Sequence, residues 1–140
     1  MNKYYLGVDL GTKTVGLATS RGLIATAYCV HFFTENDFLA AAHYLAELII
    51  KEYFSDIVIG YPKNMNNTIG LRALMVDDFV TLLKSLLDST TISIHLVDER
   101  LTTHQAHQIM LEANLSRQKR KKKKDSLAAQ LILETYLQQK

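Results

Sequence analysis

Residues 5–20 read YLGVDLGTKTVGLATS, two apolar runs separated by Gly11-Thr12-Lys13. Both runs are too short for helices, and the turn between them is tight, so the stretch constrains the chain to open as a β-hairpin. One carboxylate, Asp9, interrupts the first run near its end. It stands where β alternation expects another core residue or a last residue before the turn. A charge beside a core is costly unless it is paired or holds a cation. A strand end that presents Asp9 is therefore a candidate metal or phosphate site, the competing reading being a turn-capping Asp.

A third β candidate, 23–31, follows across the short turn Arg21-Gly22, so the opening is a meander over 3–10, 14–20 and 23–31. The period then changes. Thr34, with Asp37 three residues on, is a capping-box-like start for a helix over 34–54. Phe38, Leu39, Ala42, Leu45, Ala46 and Ile49 take helical spacing. Ile57-Val58-Ile59-Gly60 is an apolar run of the buried, parallel-strand type. A polar, Asn-rich loop over 61–69 leads to a helix over 70–88 with Leu71, Leu74, Met75, Phe79, Leu82, Leu83 and Leu86 on one face. Residues 92–97 form a strand closed by Asp98-Glu99-Arg100, and Thr102 caps a helix to about residue 114. A basic loop follows, and Asp125-Ser126 start a final helix.

The order βββ-α-β-α-β-α-α gives an α/β fold, a mixed five-stranded sheet with three antiparallel strands and then two parallel ones, flanked by helices. The 140 residues read as a single domain, 1–140, with no repeat and no linker composition. Ligands of such sheets bind near the carboxyl ends of the parallel strands. Asp9, the loop after Gly60, Asp98-Glu99 and Asp125 are four polar features expected to converge on that rim.

Charge narrows the function further. Residues 117–124, RQKRKKKK, hold seven of the chain's 16 Lys and Arg, which leaves nine against 14 Asp and Glu elsewhere. A block of this kind repels itself, rarely packs and attracts polyanions. The competing reading is a solvated loop that aids solubility. A single cysteine, Cys29, forms no internal disulfide and fits a core thiol in a reducing compartment. No apolar run approaches a membrane span, and Asp9 and Lys13 interrupt any signal-peptide core, so a cytoplasmic protein without membrane attachment is expected. The five histidines offer no metal pattern. Converging carboxylates suit a hard, oxygen-loving cation, Mg²⁺ or Mn²⁺, and such a site hydrolyses phosphodiesters.

Four motifs, in order along the chain, resemble the YqgF (RuvX-like) family of bacterial nucleases. They are VDLGTKTVGLATS at 8–20, IGYPKNMNNTIG at 59–70, VDERLTTHQA at 97–106 and KKKKDSLAAQLILETYL at 121–137. The resemblance implies an RNase H-like fold and a divalent-metal nuclease. Its catalytic acids would be Asp9, Glu99 and Asp125, with Asp98 as a further metal-ligand candidate. Glu99 is favoured over Asp98 because its longer side chain reaches further from the strand end. Lys13, Tyr61, Asn64, Arg100, Lys119, Arg120, Lys121, Lys122, Lys123 and Lys124 would contact nucleic acid. Tyr61 stands where the family commonly has Leu, and is expected to stack on a splayed base. Asn66-Asn67 stand in place of the family's Asp-Gly.

The family is linked to 5′-end maturation of precursor 16S ribosomal RNA, and to Holliday-junction resolution by likeness to junction-cleaving nucleases. The expected partner is therefore precursor RNA, with the ribosomal particle and branched DNA as further candidates. Two rival readings remain. An actin-like ATPase also opens with Asp-x-Gly-Thr, but this chain is short for two subdomains and lacks a second phosphate hairpin. A non-catalytic nucleic-acid-binding module would use the lysine block alone and has no use for carboxylates beside a phosphate backbone.

Overall fold

The computed structural model describes residues 3–22, 24–62, 70–88, 90–98 and 117–139, with side chains of the last segment from residue 126 onward. Strands β1 (Tyr5–Leu10), β2 (Thr14–Ser20) and β3 (Thr26–Phe32) form the expected meander. Helix α1 (Phe38–Glu52), strand β4 (Asp56–Tyr61), helix α2 (Leu71–Leu86) and strand β5 (Ser93–Asp98) follow, and helix α3 (Arg117–Gln139) ends the chain. The sheet order is β3-β2-β1-β4-β5. The β1–β2 and β2–β3 pairs are antiparallel, and the β1–β4 and β4–β5 pairs are parallel. The helix expected over 102–114 lies outside the described residues.

Alternation along the strands divides the molecule into two cores. Leu6, Val8 and Leu10 of β1, with Ile57 and Ile59 of β4, pack with Ala42, Leu45 and Ile49 of α1 and Phe79 and Leu83 of α2. Tyr5, Ala18, Val58 and Val97 face the other way and pack with Ala129, Ile132, Leu133 and Leu137 of α3. Each fully buried Leu or Ile contributes about 1.5–3 kcal/mol relative to exposure. Gly7 sets the distance of α3. A Cβ on it would stand 2.8 Å from the Ala129 carbonyl oxygen and 2.9 Å from Leu133 Cβ. Only a residue without a side chain lets helix and strand approach so closely.

Four expectations are corrected. Helix α1 is capped by Asp37, whose Oδ1 accepts from the Ala40 amide at 3.1 Å, and not by Thr34. Thr34 instead opens a turn in which its carbonyl accepts from the Asp37 amide. Asn36 takes the left-handed conformation there, φ 64°, as Asn does at low cost. The packed face of α2 is rotated: Ala73, Val76, Phe79, Val80 and Leu83 are buried, while Leu71 and Leu74 are 85% and 51% exposed. Both sets have helical spacing, and packing against the alanine-rich face of α1 selects the one that contains Ala73. Cys29 is half-buried at the margin of the larger core and is not fully enclosed.

The fourth correction concerns the basic segment. It is helix, not loop, and Asp125 lies inside α3 rather than opening it. Lys and Arg are good helix formers, and the segment contains neither Gly nor Pro. Once the C-terminal half is packed, each added residue needs no new nucleus. Repulsion between like charges four apart costs only a few tenths of a kcal/mol per pair.

A polar cluster lies at the amino ends of the parallel strands. Asp56, 5% exposed, accepts from Ser55 Oγ at 2.8 Å and pairs with His95 Nε2 at 3.1 Å. Burial pushes the Asp56 carboxyl up, and the His95 and Ser55 hydrogen bonds outweigh it and hold it below the usual value. The His95 ring stacks on Tyr136 of α3 at 4.7 Å.

Candidate functional site

Asp9 lies at the carboxyl edge of the sheet, one residue before the end of β1. Its neighbours across the strands follow from the register. Asp9 pairs with Gly16 of β2. Val8 pairs with Ile59 of β4, so extending that register by one residue sets Asp9 beside Gly60. Gly60 in turn pairs with Val97 of β5. The row Gly16–Asp9–Gly60–Val97 faces α3, because Tyr5, Gly7 and Asp9 share one side of β1. The half-buried carboxylate is thus flanked by two buried glycines that bring no side chain next to it.

The turn after Asp9 is fixed on several sides. Gly11 N–H donates to the Thr14 carbonyl at 2.7 Å. Thr12 and Lys13 carbonyls accept from the amides of Asn36 and Phe33, each at 2.8 Å, which ties the turn to the segment before α1. Lys13 is exposed at its tip.

Helix α3 runs roughly antiparallel to β1. Tyr136 touches Tyr5 with ring centroids 6.2 Å apart, and Ala129 and Leu133 cover Gly7. Moving from Gly7 to Asp9 advances about 6.6 Å along the strand, and the same distance along α3 is about four residues. Position 125 is one turn before Ala129, on the same stripe as Ala129 and Leu133. Position 125 therefore lies on the part of α3 that extends past Gly7 in the direction of the carboxyl edge. The preceding basic residues, Lys119, Arg120 and Lys121–Lys124 among them, continue the helix for about 12 Å beyond it. Seven cations then occupy the positive end of the helix dipole, an arrangement that a polyanion relieves.

Asp98 and Tyr61 are placed differently. They pair with one another at the ends of β5 and β4. Alternation puts Asp98 on the side of Ile94, facing the α1 and α2 layer, opposite to Asp9. Tyr61 packs partly against the larger core and donates through its hydroxyl to Asp77 Oδ2 of α2 at 3.1 Å. Burial, followed by the hydrogen bond and charge of Asp77, raises the Tyr61 hydroxyl above its ordinary pKa. The ring expected to stack on a base is thus tied through its hydroxyl to the β4–α2 corner. Asn64, Glu99 and Arg100 lie outside the described residues. Among the described residues, no three His, Cys, Asp or Glu side chains meet to form a metal site, and no helix is long and apolar enough to cross a membrane.

Sequence reasoning missed the part played by Gly7, Gly16 and Gly60. The available signal was a glycine inside an apolar strand run, which marks close approach of a backbone or ligand. All three lie on the α3 side, two of them beside Asp9.

The fold is RNase H-like. The solved structure of T. thermophilus RuvC in complex with a Holliday junction substrate superposes with a TM-score of 0.63, covering 98% of this chain and 96% of that one at 12% identity. The family model described as "RuvX: Holliday junction resolvase" matches residues 3–139, and the chain belongs to this family. A Mycoplasma capricolum protein named "Putative pre-16S rRNA nuclease" is 49% identical over 140 residues, 99% of this chain and 97% of that protein. The Bacillus subtilis protein of the same name is 43% identical over 137 residues, 94% and 95% of the two chains.

Proposed function

We propose that this chain is a divalent-metal-dependent nuclease that hydrolyses phosphodiester bonds in the 5′-end maturation of precursor 16S rRNA. The observation that carries the reading is Asp9, set between Gly16 and Gly60 at the carboxyl edge, on the face of the sheet that α3 covers. Family membership and the names of the full-length relatives support the nuclease and its RNA substrate.

In this reading Asp9, Glu99 and Asp125 hold Mg²⁺ or Mn²⁺. The donor set is all oxygen, which suits those ions. In this reading Glu99 rather than Asp98 is the carboxylate contributed from the end of β5, which the register of Asp98 on the α1 and α2 side supports. The bound cation would supply charge stabilisation and orientation of water at the scissile phosphate. The chain's own residues do the rest. The flanking glycines leave the phosphate access to Asp9. The fixed β1–β2 turn holds Lys13 beside the strand. The basic start of α3 draws in the phosphate backbone without reading sequence, so affinity falls with salt. Asn64 and Arg100 are further backbone contacts of this reading.

The test is cleavage of a 5′-extended 16S precursor RNA in Mg²⁺ or Mn²⁺, with a four-way DNA junction alongside. Metal-dependent cleavage of the RNA supports the reading. Cutting of the junction alone moves the protein to DNA repair. Salt-sensitive binding with no cleavage of free or particle-bound RNA makes it a binding module.

A further inference from the structure

A groove of about 360 Å³ opens at the same edge of the sheet, on the side away from Asp9. Three elements build it. The β1–β2 turn contributes Thr12, the start of α1 contributes Phe38, and the first turns of α2 contribute Leu71, Leu74, Met75 and Asp78. Its size is at the lower end of the range for small-molecule pockets, about 300–1,000 Å³. Phe38, Leu71, Leu74 and Met75 give it an apolar lining, and Thr12, Asn36, Arg72 and Asp78 add hydrogen-bonding groups. Leu71 and Leu74 are the exposed leucines whose apolar surface the α2 packing leaves unused.

The charge around the groove indicates the occupant. Arg72, which also lines it, donates from Nη2 to the Leu10 carbonyl at 3.4 Å and is thereby held against the end of β1. Lys13 stands at the tip of the adjoining turn. Arg72 in the lining and Lys13 in the adjoining turn set cations at an apolar slot, which suits a flat ring attached to a phosphate backbone. A purely apolar protein side chain would leave both cations and Asp78 without use.

We propose that this groove holds an unpaired nucleobase of the strand whose backbone crosses the edge at Asp9. The proposal rests on the nuclease reading and adds a specificity determinant to it. The base lies against Phe38, Leu74 and Met75, and base stacking of this kind is tolerant of sequence. Asp78 accepts a hydrogen bond from an exocyclic amine, so adenine, guanine and cytosine are preferred to uracil there.

The experiment uses short single-stranded RNAs with one 2-aminopurine moved along the sequence, bound to the Asp9→Asn protein without metal. Quenching at one register, lost in an added Leu71→Ser/Leu74→Ser pair with about tenfold weaker binding, is expected. Both leucines are exposed, so the pair folds. In the wild-type background the same pair raises KM about tenfold with kcat unchanged, and Asp78→Asn erases the discrimination against uracil at that register. Metal-dependent cleavage by wild type, with no register-specific quenching and an unchanged KM in the pair, overturns the groove and leaves the nuclease standing. If wild type cleaves nothing, the nuclease reading fails, and the quenching alone decides the groove. Loss of binding to ribosomal particles with unchanged RNA quenching also overturns it and makes the groove a protein-docking surface.

Discussion

Asp9 and Asp56 show one residue type held in two settings. Asp9 has glycines on both sides at the carboxyl edge. Asp56 sits at the amino edge with Ser55 and His95 as hydrogen-bond partners. Asp56 has a depressed folded-state pKa, so its contribution to stability is present above the unfolded value of about 3.9 and is lost as pH falls through the lower folded value. Urea titrations between pH 7 and 2 are therefore expected to show a fall in stability beginning near pH 4. In Asp56→Asn that acid limb is shallower, and neutral-pH stability is lower by about 1–3 kcal/mol. Tyr53 is a separate case. It closes α1 in the left-handed conformation at φ 62° and is 85% exposed. Tyr53→Gly relieves that strain and is expected to raise stability by about 0.5–1 kcal/mol in the same titration.

At the scale of elements, α3 sets what lies over the Asp9 face of the sheet. It rests on Gly7 with no room for a methyl group. Gly7→Ala is expected to cost about 1–3 kcal/mol through overpacking and to shift position 125 relative to Asp9, so cleavage falls further than stability does. Thermal unfolding and cleavage rate measured on the same preparation check this. The basic start of the helix carries another prediction. Replacing Lys121–Lys124 with Gln removes four cations, so the slope of log affinity against log salt flattens by about 3 for single-stranded RNA. An unchanged slope would place the contact surface elsewhere. The strand meander and both crossovers were legible in the sequence because alternation and short turns leave little choice. The helical nature of the basic block was not, because charge repulsion suggests a loop while intrinsic propensity and a packed C-terminal half favour helix. The packed face of α2 was not legible either, since two overlapping sets of apolar residues satisfy the same period and only contact with α1 separates them.

For the whole molecule, the layers divide the work. One face of the sheet is sealed by α1 and α2. The other carries α3, which spans from the His95–Tyr136 contact at the amino edge to the basic overhang beyond Asp9. The position of Asp9 near the carboxyl end of β1 could be read from one charge in an apolar strand. The surroundings that give it space could not, because they depend on register: Gly16 and Gly60 are 44 residues apart in sequence and meet only across β1. The distinction between Asp98 and its neighbour Glu99 likewise depends on which side of β5 Asp98 takes. The most direct test of the account is metal-dependent cleavage of a 5′-extended 16S precursor RNA by wild type, Asp9→Asn, Glu99→Gln, Asp125→Asn and Asp98→Asn. The account predicts that the first three variants lose about a hundredfold or more in rate while still binding RNA, and that Asp98→Asn cleaves nearly as well as wild type. Full activity in Asp9→Asn or Asp125→Asn, or an inactive Asp98→Asn beside an active Glu99→Gln, would contradict it.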